Sequence, residues 1–142
     1  MTPSAPARPA AAPPTVVALN TCAAVHQDDT RKAYLLGLFH GFQTPTFLAL
    51  MPRLCVYLSL TNGRGPTPLA VRLVDGADED GPPLFAFDLK VVPFASPLDV
   101  KEVALEVPAV TLPRAGLYRW QVVCGGEVIH ERRFVVAQTG GR

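Results

Sequence analysis

Cysteine is scarce in this chain: Cys22, Cys55 and Cys124 are the only three in 142 residues. They are widely spaced and form no CxxC pair, which argues against a zinc knuckle or a dithiol redox motif. Their expected role is as small buried hydrophobes in a reduced compartment. Charge imbalance is also missing. A net charge of +1 and a pI of about 7.8 give no global attraction to nucleic acid or anionic lipid. No apolar run approaches the roughly 18 residues of a membrane-spanning helix. Windows free of helix breakers are few, because 15 prolines and 11 glycines are scattered along the chain. A soluble, cytoplasmic protein with no nucleic-acid or membrane partner is expected.

What is present suits one packed domain. Hydrophobic residues make up 49% of the chain and charged residues 18%, enough apolar material for one core. The opening "MTPSAPARPAAAPP" holds five prolines and five alanines without the continuous apolar stretch of a signal peptide. It is expected to be a disordered tail over 1–14, followed by one domain over 15–137 and a short flexible tail over 138–142.

Short apolar runs separated by turn signals predict an all-β sandwich. Thr15–Val25 reads as a first strand, "HQDDTRK" as a polar turn and "AYLLGLF" as a buried strand. Leu54, Val56, Leu58 and Leu60 alternate with Cys55, Tyr57, Ser59 and Thr61, the period of a half-buried strand. Leu69, Val71 and Leu73 repeat it after the "NGRG" turn, and Phe85, Phe87 and Leu89 form a third such set. "GADEDGPP" reads as a solvated acidic loop. Two segments stay open between a helical turn and extended chain. One is Pro45–Pro52. In the other, Ser96, Pro97 and Asp99 imitate a helix start. Beyond it, Val103, Leu105 and Val107 favour a strand, with Pro108 and Pro113 limiting any helix.

From Leu105 the order is Leu105-x-Val107-x-x-Val110, then Ala115-Gly116-x-Tyr118-x-Trp120. This resembles strand E, the E–F corner and strand F of immunoglobulin-like domains. The resemblance implies an antiparallel β-sandwich of about seven to nine strands, with Tyr118 making a tyrosine corner. Arg114 stands where that family carries an aspartate, and Trp120 where it carries the strand F cysteine. The inter-sheet disulfide is therefore not implied. The blocks "KAYLLGLF", "PRLCVYLSLTNGRG" and "AGLYRWQVVCGGEVIHERRFVV" also make the chain similar to a small bacterial family, a domain of unknown function. That likeness implies a cytoplasmic β-sandwich and no mechanism.

Two registers suit the last hairpin. A two-residue Gly125–Gly126 loop pairs Cys124 with Glu127 and sets Arg119 opposite Arg132. Without a bulge it sends Phe134 and Val136 to the side away from Trp120. A three-residue loop instead pairs Val123 with Glu127 and Arg119 with Glu131, and gathers Tyr118, Trp120, Val122, Phe134 and Val136 on one side. A like-charge pair directly opposite is unfavourable, so the three-residue loop is the expectation. It places His130 and Arg132 on the core-facing side.

Candidate chemistry is thin. His26, His40 and His130 lack the spacing of a metal site. Cys124 with His130 lacks a third group and an oxyanion hole. "DGADED" carries four carboxylates in six residues but not the twelve-residue calcium-loop pattern. No catalytic, cofactor-binding or metal-ligating residue is assigned. The residues proposed to contact a partner are Arg119, Glu131, Arg132 and Arg133. The expected function is a non-enzymatic binding or protein-interaction module with a protein partner, offering open sheet edges to a partner strand. Two alternatives are kept. One is a small-molecule or metal binder with weak enzymatic activity, using His130 and nearby arginines. The other is a structural subunit of a larger assembly.

Overall fold

The computed structural model describes residues 12–139. Most of the tail expected over 1–14 lies outside them, as do 140–142. Eleven strands form, and no helix occurs among the described residues: β1 (Thr15–Gln27), β2 (Ala33–Leu38), β3 (Gly41–Thr44), β4 (Ala49–Leu50), β5 (Leu54–Thr61), β6 (Gly65–Asp75), β7 (Phe85–Phe94), β8 (Lys101–Val107), β9 (Thr111–Leu112), β10 (Gly116–Cys124) and β11 (Glu127–Gln138). β11 thus takes in Gln138, the first residue of the expected C-terminal tail.

Two sheets face each other. One has the order β2-β1-β5-β8, the other β3-β11-β10-β6-β7, and β4 pairs with β9 apart from both. Every ladder is antiparallel except β3 with β11. Immunoglobulin-like sandwiches set strands B and E side by side in one sheet and C, F and G side by side in the other. Here β5 lies beside β8, and β6, β10 and β11 are neighbours in the opposite sheet. β1 takes the place of strand A beside β5. The topology is that of an immunoglobulin-like all-β sandwich.

Period-two alternation builds the core. Leu54, Val56, Leu58 and Leu60 project inward from β5, and Leu69, Val71 and Leu73 from β6. Tyr118, Trp120, Val122, Phe134 and Val136 join them from β10 and β11. Trp120 is fully buried, with Phe134 and Phe85 packed edge-on at centroid distances of 6.3 and 6.1 Å. Each such side chain removed from water contributes about 1.5–3 kcal/mol.

Several expectations need correction. The β10–β11 hairpin uses the two-residue loop, with Cys124 opposite Glu127 and Val123 opposite Val128. A bulge then skips Ile129, so His130 faces Val122, Glu131 faces Gln121 and Phe134 faces Tyr118. One extra residue restores the inward side for Phe134 and Val136, so the three-residue loop is not needed. Arg119 lies opposite Arg133, not Glu131.

β2 is not buried. It is a sheet edge, and Tyr34, Leu36 and Leu38 are 45%, 53% and 55% exposed. In β7, Leu89 is the extra residue of a bulge. Phe85 and Phe87 keep one side, although Phe87 is exposed.

Both open segments are extended or turned, not helical. Between Pro45 and Pro52 the chain bends into β4 along the rim. At Ser96–Asp99 the capping contacts form without a helix. The Asp99 carboxylate accepts the N–H groups of Ala95 and Ser96 at 3.0 and 3.1 Å, and Ser96 Oγ accepts that of Leu98 at 3.1 Å.

Candidate functional site

The outward side of β10 and β11 carries most of the residues singled out from the sequence. Odd-numbered positions of β10 point away from the core, so Arg119 and Gln121 stand on the sheet's outer face. Gln121 is a buried polar side chain there, held by neighbours on both sides. Arg72 of β6 donates from Nε to Gln121 Oε1 at 2.7 Å. Gln121 Nε2 donates to Glu131 Oε1 of β11 at 2.6 Å. The row Arg72–Gln121–Glu131 runs across three adjacent strands and fixes the Glu131 carboxylate.

The basic residues have different fates. Arg119 pairs with Glu79, and Arg114 pairs with Asp75 at 2.7 Å. The acidic loop after β6 is therefore not simply solvated: its Glu79 neutralises Arg119 of β10, while Asp75, the last residue of β6, neutralises Arg114. Arg132 and Arg133 form no ion pair among the described residues. Arg133 is exposed on the outer face. Arg132 is half-buried on the other side, directly opposite Trp120. The four proposed contact residues thus do not make one surface: Arg119, Glu131 and Arg133 share a face, and Arg132 lies at the rim of the core.

Tyr118 anchors this region. Its hydroxyl donates to the Arg114 carbonyl oxygen at 2.6 Å, which is the tyrosine corner. Burial raises the phenol's pKa, while the contact with the Arg114 backbone pulls it the other way. Among the described residues no three His, Cys, Asp or Glu side chains gather as a metal site requires.

The sequence reading missed a second surface. Leu38, Leu36 and Tyr34 of β2 lie opposite Cys22, Ala24 and His26 of β1. Their exposure makes an apolar row on a strand whose outer edge has no partner among the described residues. The tip of this hairpin is held by Asp28, whose carboxylate accepts from the hydroxyls of Thr30 and Tyr34 at 2.6 and 2.8 Å. Those bonds favour the ionised form and lower its pKa to about 2. The available signal was the weak alternation within "AYLLGL". A continuous apolar run looks the same whether one of its sides is covered or left open.

The chain matches the DUF6941 family, described as a family of unknown function, over residues 17–137. It belongs to that family. No curated protein matches it. Among solved structures, an immunoglobulin-like protein from Pseudomonas aeruginosa is similar to it, at 21% identity over 89% of this chain and 98% of that one, with a TM-score of 0.44.

Proposed function

We propose that this family member is a non-enzymatic protein-interaction module that receives an extended segment of a protein partner along β2. The observation that carries the reading is the row of exposed Tyr34, Leu36 and Leu38 on a sheet edge with no partner strand among the described residues. An unpaired edge offers backbone N–H and C=O groups to an incoming strand, and alternate side chains supply specificity. Exposed apolar residues in one row, rather than scattered singly, mark a surface that another molecule covers. The charged face around Glu131 and Arg133 favours a second reading, docking of a partner of mixed charge on the outer side of β10–β11.

Affinity purification with the tagged protein tests both. A specific partner should be retained by wild type and by Arg133→Glu, and lost by the double variant Leu36→Lys/Leu38→Lys. The melting temperatures of the variants should stay near that of wild type, because the replaced side chains are exposed. Loss with Arg133→Glu alone would move the interface to the charged face. Recovery of no partner under any condition would count against an interaction module.

A further inference from the structure

Cys22 and Cys55 are separated by 33 residues in the chain, yet they are direct register partners on β1 and β5. Cys55 alternates with the inward Leu54 and Val56 of β5, and Cys22 lies directly opposite it on β1, so both stand on the outer side of the four-stranded sheet. Neither is in a disulfide, and Cys22 S–H donates to the Cys55 carbonyl oxygen at 3.7 Å. Directly opposed residues of an antiparallel ladder have Cα atoms about 4.5–5.5 Å apart. A disulfide requires about 4.4–6.8 Å, so closure needs rotamer changes and little backbone movement.

The two thiols differ in access. Cys22 is fully buried and Cys55 is half-buried. Cys55 lines a cleft of about 320 Å³ together with Ala23, Arg53, Glu106 and Pro108. Burial and the neighbouring Cys55 raise the Cys22 pKa, so the buried thiol is the poorer first nucleophile and suits the resolving role. The cleft wall carries both the Arg53 guanidinium and the Glu106 carboxylate, which lies opposite Cys55, a pair that suits a reagent bearing a carboxylate and an ammonium group, as glutathione does.

We propose that Cys22 and Cys55 form a dithiol site that reacts with small carboxylate-bearing disulfides of the glutathione type. Deprotonated Cys55 Sγ attacks one sulfur of the small disulfide, forming a mixed disulfide on Cys55. The small molecule's S–S bond breaks, and one small thiol leaves after taking up a proton. Deprotonated Cys22 Sγ then attacks Cys55 Sγ and releases the second small thiol. The two protein thiols lose two electrons and two protons in all, and the small disulfide is reduced to two thiols. The product ties β1 to β5 across the sheet, in the same cross-strand row as Leu38.

The test uses the full chain with oxidised glutathione, followed by alkylation in denaturant and peptide mapping by mass spectrometry. Free thiols should fall from three to one per chain. The peptides holding Cys22 and Cys55 should be linked within one chain, and Cys124 should be alkylated. In Cys22→Ser, a single stable glutathione adduct should remain on Cys55. The wild-type map decides the question even if that variant does not fold. Retention of both thiols, adducts confined to Cys124, or linkage only between chains would overturn the proposal.

Discussion

Tyr118 has its ring in the core and its hydroxyl on the Arg114 carbonyl at 2.6 Å. Tyr118→Phe keeps the ring and removes the bond, leaving the Arg114 carbonyl without this donor. The expected loss is about 1–2 kcal/mol, read as a lower urea midpoint with an unchanged m-value. An unchanged midpoint would show that water replaces the hydroxyl without loss. The corner was legible through the resemblance of the Leu105–Trp120 pattern to immunoglobulin-like domains, which a short segment can carry because the corner's partners are four residues apart. The fate of Arg119 was not legible. Its carboxylate partner, Glu79, lies 40 residues away in a loop whose composition predicts only solvation. Gln121 carried no signal at all. It is held by Arg72 on one side and Glu131 on the other, and neither contact follows from the residue's own neighbours in the chain.

Within the last hairpin, the turn and the bulge act together. Gly125 and Gly126 both have positive φ, 58° and 86°, as a two-residue turn matching the strand twist requires. Gly126→Val should destabilise by about 1–2 kcal/mol, because a branched side chain is strained in the left-handed region. Gly126→Asn should lose clearly less, since asparagine tolerates that region better. Thermal melting of the two variants gives the comparison, and equal losses would sink the argument. The bulge at Ile129 explains why the expected register was wrong. Two solutions put Phe134 and Val136 inside: a longer loop, or a shorter loop plus one skipped residue. Charge pairing favoured the first. In the folded protein Arg119 is instead neutralised by Glu79, which removes the objection to placing it opposite Arg133.

Across the whole molecule, the two sheets share one core, with Trp120 in the middle and side chains from both sheets around it. Neither sheet buries its inner face without the other. Unfolding should therefore be a single cooperative step. Trp120 is the only tryptophan, so its fluorescence reports on core opening, while far-UV circular dichroism reports on the strands. The two urea transitions should superimpose, and separate midpoints would show that the sheets come apart independently.

Alternation within a strand is a local property. For that reason the inward sides of β5 and β6 and the β-sandwich class could be read from residue order, while the corner at Tyr118 came from the resemblance to immunoglobulin-like domains. Alternation says which side of a strand turns inward, but not which strand lies alongside or whether its other side is covered. The exposed row on β2, the ion pairs that occupy Arg114 and Arg119 and the meeting of Cys22 with Cys55 all depend on strand neighbours distant in the chain. Those neighbours are chosen when the two sheets close over a common core, and only the tertiary structure records that choice.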